Sequence, residues 1–292
     1  MNEEQKSSIG EWIRRLPFRI RGKIIESIPP QVEFRFRRWR QEQTFRRNEA
    51  LRARREELFD AAERKGLENI PLFIISYNRV SYLQRMIPQL EKLGFSRITI
   101  IDNHSTYPPL LEYYQSCGHE VIYLDYNGGH KVFWTDERFA EYRKDFYLLS
   151  DPDLYLVDEC DKHLVEELFR VLRKYPFVNK VGVSLCINDL PENGVFGDSV
   201  VKWEKRYYRY QPEKGVYFAP VDTTLGLYIP DEFFVPERKE TSFRLDSPYQ
   251  AKHLPWYRMK GELTEEDIYY SEHKENGWWN VAAGKMTKDK AV

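Results

Sequence analysis

Cysteine, long apolar runs and net charge are what this chain has least of. Its 292 residues include three cysteines, Cys117, Cys160 and Cys186, odd in number and far apart. Neither a disulfide framework nor a zinc-binding spacing follows, and a reducing compartment is the simpler expectation. No stretch approaches the ~18 apolar residues of a membrane span. Met1–Gly10 is polar and lacks the apolar core of a secretory signal. Lys and Arg number 45 against 46 Asp and Glu, a formal charge of −1, so no global field draws the protein to nucleic acid. A cytoplasmic protein is expected, with membrane association left to be decided by its surface.

What is present is a sizeable core and an uneven distribution of charge. Hydrophobic residues make up 41% and aromatics 15%, enough for one large domain with appendages. Residues 1–69 hold 17 Lys and Arg against 12 Asp and Glu, and so carry +5, leaving −6 on the remainder. In this first part Trp12, Ile13, Leu16, Phe18 and Ile20 alternate with Arg14, Arg15, Arg19, Arg21 and Lys23. After Pro29-Pro30 an arginine-rich helix is expected, with Val32, Phe36 and Trp39 as its apolar stripe. Three roles are open to residues 1–69 as a basic helical extension. They are contact with an anionic membrane surface, packing of the stripe on the main domain or on a partner protein, and, least favoured, contact with nucleic acid.

From residue 70 the pattern becomes regular. Pro71–Tyr77 reads as a buried strand, and Asn78 can cap a helix over Val80–Leu93 that Gly94 ends. Arg97–Ile101 is a second strand running into Asp102, and Pro108–Cys117 a short helix. His119–Leu124 is a third strand, leading to Asn127-Gly128-Gly129, and a helix is expected over His130–Arg143. The apolar run Phe146–Leu149 then delivers Ser150-Asp151-Pro152-Asp153. Strands alternating with helices imply an α/β fold with parallel pairing and right-handed crossovers. In such sheets the carboxyl ends of the strands share one edge, where ligands bind. Ser76, Tyr77, Asn78, Asp102, Asn127, Asp151 and Asp153 should therefore line one cleft.

Two aspartates one residue apart, with Pro152 holding Asp151 extended, can converge on one point. Convergent carboxylates repel unless a cation lies between them. Hard oxygen ligands suit Mg²⁺ or Mn²⁺, which typically sits on one or two carboxylates plus substrate phosphates. An ordinary turn at Asp151-Pro152-Asp153 is the plain alternative.

In order and spacing these motifs resemble the nucleotide-binding half of GT-A fold glycosyltransferases, nearest to family 2 of bacterial type. The matching residues are Tyr77-Asn78-Arg79, Ile100–Thr106, Asn127-x-Gly129 and Asp151-Pro152-Asp153. The chain departs from the usual Asp-Asp-Gly-Ser-x-Asp signature, with Asn103 and His104 at its second and third positions and Tyr107 at its last. The resemblance implies a Rossmann-like mixed sheet flanked by helices, with residues 70–157 as the nucleotide-sugar half and 158–292 as the acceptor half. It implies that main chain near Ser76–Asn78 holds the base and that Asp102 accepts a hydrogen bond from base or ribose. Asp153, with Asp151 directly or through water, would hold a divalent cation on the diphosphate.

Downstream, a long helix over Asp158–Tyr175 and a strand over Lys180–Ile187 are expected, then an aromatic stretch with Trp203, Tyr207, Tyr208 and Tyr210. Tyr217–Ile229 reads as a strand pair or one long strand interrupted at Pro220-Val221-Asp222. Val221–Tyr228 and Tyr249–Tyr257 extend the resemblance more weakly. An inverting transfer needs a general base; Asp222 is the first candidate and Asp246 the second, a turn or cap aspartate being the alternative for each. His253, before Leu254-Pro255-Trp256, would complete the metal shell, contact phosphate or serve structurally. Residues 258–292 are expected to close the acceptor side or fray, with Trp278 and Trp279 in a docked helix or partner contact. The leading expectation is a metal-dependent glycosyltransferase, taking a sugar from a nucleotide-sugar donor to a glycan or lipid-linked acceptor in surface polysaccharide synthesis. A haloacid-dehalogenase-like phosphohydrolase and a non-catalytic nucleotide-sugar binding module are the alternatives.

Overall fold

A computed structural model describes residues 28–222, 224–235, 242–273, 279–280 and 285–286. The expectations for Trp12–Lys23, Thr223 and the Trp278 and Trp279 side chains lie outside what is described.

Two helices come first, α1 (Pro30–Arg47) and α2 (Glu49–Lys65), with Asn48 between them accepting the Leu51 N–H at 3.0 Å as the cap of α2. The alternating part then follows the sequence closely. It comprises β1 (Leu72–Ser76), α3 (Val80–Lys92), β2 (Ile98–Asp102), α4 (Pro108–Ser116), β3 (Glu120–Tyr123) and β4 (Tyr147–Ser150). β1 and β2 are buried at every position, as a parallel strand covered on both faces must be. Alternate residues serve opposite faces: Leu72 and Ile74 join the larger core, Phe73 and Ile75 the smaller.

The helix expected over His130–Arg143 is not formed as one element. Short turns replace it, the longest being α5 (Val132–Thr135), and Asp136 accepts from the Arg138 N–H at 2.9 Å to start the next turn. A side chain that offers the backbone its own acceptor competes with continuous helix.

The rest of the sheet is antiparallel or mixed. It contains β5 (Leu154–Leu156), β6 (Lys180–Leu185), β7 (Val216–Phe218), β8 (Gly226–Tyr228) and β9 (Phe243–His253). α6 (Leu164–Lys174) is shorter than the expected Asp158–Tyr175, and α7 (Asp198–Glu204) and α8 (Glu265–His273) complete the main body. β10 (Trp279–Asn280) and β11 (Lys285–Met286) pair with each other. The strand order is β3-β2-β1-β4-β8-β6-β9-β5, with β7 also on β9. β1 to β4 are mutually parallel; β8 runs against both β4 and β6; β9 runs with β6. The fold is thus a mixed nine-stranded α/β sheet flanked by helices, consistent with a Rossmann-like arrangement.

β9 changes partners halfway along. Val183 pairs with Leu245, but the next residue, Ser184, pairs with Gln250, so residues 246–249 bulge out of the ladder. On its other side the first half of β9 pairs with β7 and the second half with β5.

The N-terminal helices share the main core. Phe34 of α1 is buried and meets Tyr175, Phe177, Tyr210 and Phe218 edge-on at 5.6–5.7 Å between ring centres. Phe59 of α2 packs between Phe146 and Phe169. Arg55 is buried and donates to the carbonyls of Leu172 (2.7 Å) and Arg173 (3.1 Å), capping the carboxyl end of α6. Phe34→Ala is expected to lower the unfolding free energy by ~3–5 kcal/mol, whereas Val32→Ala on the outer face of the same helix should stay within about 0.5 kcal/mol. Urea unfolding of the two variants checks both.

Candidate active site

The carboxyl ends of β1, β2 and β4 are neighbours. Ser76 lies opposite Asp102, and Ile74 lies opposite Ser150, one residue before Asp151. Asn78 shapes the turn after β1. It is fully buried in left-handed backbone with φ 49°, and its side-chain oxygen accepts from the Thr106 and Tyr107 N–H groups at 2.7 and 3.0 Å. Asn tolerates this region better than most residues. The Ser105 hydroxyl in turn accepts from the Asn78 N–H at 2.9 Å, so the loops after β1 and β2 are one unit.

Asp102 belongs to the same knot. It is 2% exposed. One carboxylate oxygen accepts from the Ser105 N–H at 3.0 Å and the other from the Tyr114 hydroxyl at 2.9 Å. Its bonds hold the 103–107 loop, and the carboxylate is shielded from solvent rather than presented to it. Asn103 extends the connection by accepting from the Gly128 N–H at 2.8 Å and donating to the Gly129 carbonyl at 3.2 Å. Asn127 closes its own turn through the Gly129 N–H at 3.0 Å. Ser76 is fully buried.

The change of partner in β9 brings Asp153 to His253. β5 pairs Leu154 with His253, and the Leu254 N–H donates to the Asp153 carbonyl at 2.8 Å. The Asp153 carboxylate Oδ2 lies 3.2 Å from His253 Nε2, while Oδ1 is enclosed with no hydrogen-bond partner. Burial works to raise the Asp153 carboxyl, but the His253 ring and, more distantly, Arg79 outweigh it and hold the acid below its ordinary range. A carboxylate kept ionised with one enclosed, unpaired oxygen fits a hard cation. Among the described residues no group of three or more Asp, Glu, His or Cys gathers to hold a metal alone. The protein's share would therefore be Asp153 and His253, with Asp151 half-buried beside them.

α8 covers this edge on the side of β1 and β2. Its start is a capping box, in which Asp267 accepts from the Thr264 N–H at 3.0 Å and the Thr264 hydroxyl accepts from the Asp267 N–H at 3.2 Å. Asp267 also accepts from Arg79 at 2.6 Å and from Arg258. Glu266 takes the Val80 and Ser81 N–H groups at 2.5 and 2.9 Å, together with the Ser81 hydroxyl. A carboxylate from a distant helix thus caps α3, where free N–H groups and the helix dipole favour an anion. The Arg79 guanidinium lies 4.2 Å from the Tyr270 ring centre and 5.2 Å from that of Tyr82. The Tyr77 hydroxyl donates to the His273 carbonyl at 2.6 Å, and Tyr269 meets Tyr107 at 4.9 Å. Tyr270 lies within the electrostatic reach of Asp151 and Asp153. Residues 264–273, within the 258–292 segment expected to close the acceptor side or fray, close over the β1 and β2 loops. A cleft of about 470 Å³ opens beside this junction, with Tyr82, Arg85, Leu254, Tyr257 and Arg258 in its wall.

Asp222 is exposed on the loop leading into β8. β8 is antiparallel to β4, so its start lies on the edge where β4 ends. His130 is a neighbour that sequence reasoning missed: loss of hydration lowers its pKa from the ordinary value, and the Asp222 carboxylate opposes that shift. The only hint was its place just after Asn127-Gly128-Gly129. Asp246 lies in the bulge of β9. Its N–H donates to the Gly215 carbonyl at 2.8 Å and its carboxylate is a partner of the Tyr217 hydroxyl, both towards β7. It follows Leu245, which pairs with Val183 of β6, and its carboxylate also acts on Cys186. Glu266, Asp267 and Tyr270 were also missed; only Thr264-x-x-Asp267 signalled a helix start there.

No protein-family model matches the chain, and no curated protein matches its sequence.

Burial works to raise the Asp267 carboxyl, but hydrogen bonds from Thr264 and Arg79 prevail and hold it below its ordinary value. A carboxyl lowered by folding adds stability above the unfolded value of about 3.9, and that contribution is lost as pH falls through the folded value. Asp267→Asn should be less stable by ~1.5–3 kcal/mol at neutral pH, because the buried Arg79 loses its nearest charged acceptor and keeps only Glu266, 3.9 Å away. The gap between parent and variant should close as pH drops below about 4, as followed by urea unfolding across the acid range.

Proposed function

We propose that this protein is a metal-dependent glycosyltransferase that moves a sugar from a nucleotide-sugar donor to a glycan or lipid-linked acceptor, on a GT-A-type fold. The observation that carries the reading is the Asp153 carboxylate at the carboxyl edge of the sheet, held against His253 with one oxygen enclosed and unpaired. A cation held by Asp153 and His253, with Asp151, would neutralise the charge that a nucleoside diphosphate gains as it leaves.

Three further features support the reading. The order β3-β2-β1-β4 puts the Asp151-Pro152-Asp153 loop beside the ends of β1 and β2. His104 has left-handed backbone with φ 65°, at the position where the resembling signature carries glycine. The cleft beside Leu254 falls within the ~300–1,000 Å³ of small-molecule sites. Within this reading, main chain near Ser76–Asn78 meets the base, and the Asp102 knot keeps the loop in shape rather than reaching the ligand. Asp222 accepts the proton of the attacking hydroxyl, with His130 beside it. General-base help of this kind contributes ~10²–10⁴ in rate. The phosphohydrolase alternative normally opens its domain with the Asp-x-Asp, whereas here three strands precede it.

Nucleoside diphosphates screened by thermal shift with and without Mn²⁺ test the site. At a ligand concentration ~100 times Kd the parent should gain about 2.7 kcal/mol, with metal present only, and Asp153→Ala should lose the shift. A metal-independent shift that Asp153→Ala retains would sink the metal reading. Asp222→Asn should keep the shift yet lower turnover of the donor by ~10²–10⁴; unchanged turnover removes Asp222 as the base.

A further inference from the structure

The outward face of α1 is not what a solvated helix needs. Phe34 points into the core, and the apolar stripe read from the sequence lies on the other side. Val32 and Phe36 are 53% and 51% exposed, and Trp39 is half-buried with its ring centre 6.1 Å from that of Phe36. At about 100° per residue, Val32, Phe36, Trp39 and Gln43 fall within an arc of roughly 60°. Arg35 and Arg46 flank that arc on one side, Arg40 and Arg47 on the other. All four are exposed, and among the described residues none is in an ion pair. The helix's two internal acids, Glu33 and Glu42, sit towards the flanks and are held by Arg37 and Arg38 at 3.1 and 3.2 Å. The outward face therefore combines an apolar ridge with four unneutralised guanidinium groups.

We infer that this face of α1 docks on an anionic lipid bilayer, with Val32 and Phe36 entering the headgroup boundary and the arginines meeting lipid phosphates. Charge decides the partner. A ridge with four like charges opposes its own copy across a two-fold axis, whereas an anionic membrane attracts each charge and accepts the ridge. No described helix is long and apolar enough to cross a membrane. Guanidinium groups also bind phosphate in bidentate fashion. The position of α1 suits this. Phe34 touches Phe177, just before β6 begins, and Phe243, the first residue of β9. That is the edge of the sheet opposite Asp153 and His253, so docking leaves the cleft unobstructed.

The inference does not depend on the proposed reaction, and its test reads binding alone. The full chain is sedimented with vesicles of phosphatidylcholine, and with vesicles that also contain phosphatidylglycerol. Two variants are compared: Val32→Ser with Phe36→Ser, and Arg35, Arg40, Arg46 and Arg47 all to Gln. All these positions are on the outer face, and unchanged urea unfolding confirms that both variants fold. Parent protein should bind only the anionic vesicles, and less so as salt is raised. The arginine variant should lose more than ~100-fold in partitioning, and the apolar variant about tenfold. Failure of the parent to bind anionic vesicles overturns the inference. So does binding that both variants retain, which assigns any lipid contact to residues before 28. A parent dimer that only the apolar variant dissociates, seen by light scattering, also overturns it, since a second copy would then cover the ridge.

Discussion

The pairing of one strand with two successive partners is the constraint on which the site depends. β9 must leave the β6 ladder for residues 246–249 and rejoin it at Gln250. Without that bulge its second half would not present His253 opposite Leu154, and Asp153 would end in a loop with nothing to meet. Main-chain hydrogen bonds set this, so the distance from Asp153 to His253 is fixed by backbone register rather than by two flexible side chains. Bulges commonly re-aim a side chain near a functional edge. The bulge also holds Asp246, bonded to Gly215 and Tyr217.

The second organising feature is electrostatic. Arg79 is almost wholly enclosed, and a buried charge without partners is expensive. Asp267 supplies the countercharge, Tyr82 and Tyr270 supply π-faces, and Arg258 shares the same carboxylate. Of these three partners of Arg79, Asp267 and Tyr270 are distant in sequence and Tyr82 lies in the first turn of α3. Closing α8 onto the β1 loop thus satisfies a charge that the β1 loop alone would strand. Glu266 repeats the logic with the free N–H groups of α3. The α/β half and the C-terminal helix are consequently joined by polar groups buried on both sides.

Much of the alternating half was legible because its signals are local. Pro71–Tyr77, Arg97–Ile101 and Phe146–Leu149 are apolar runs too short for helices and bounded by turn residues, and all three are strands. The rule that ligand loops gather at the carboxyl ends of parallel strands puts Ser76, Asp102 and Asp151 near one another from sequence alone. Residues 130–143 misled because their composition suits a helix while Asp136 diverts the backbone. β5 is only three residues long and owes its existence to β9, so nothing local announces it. In α1 the period revealed a stripe at Val32, Phe36 and Trp39 but not which way it faced. A single residue, Phe34, decided that through the aromatic cluster it enters. Partners distant in the chain, such as Glu266 for Val80, leave no periodic trace.

Asp102 illustrates how a motif and its mechanism separate. An aspartate at the end of a second strand reads naturally as a ligand contact. Its two oxygens are instead taken by Ser105 and Tyr114, and the loop they hold carries the left-handed His104 and the Asn103 that anchors Gly128 and Gly129. Removing the carboxylate would leave the buried Tyr114 hydroxyl and Ser105 N–H without acceptors, each costing about 1–3 kcal/mol. The same residue type at the same place can thus be demanded by folding alone. What distinguishes Asp153 from Asp102 is not sequence context but satisfaction: every oxygen of Asp102 has a donor, and one oxygen of Asp153 does not. A buried carboxylate oxygen without a donor is uncommon and calls for an explanation, which is why the proposal rests on Asp153 and not on Asp102.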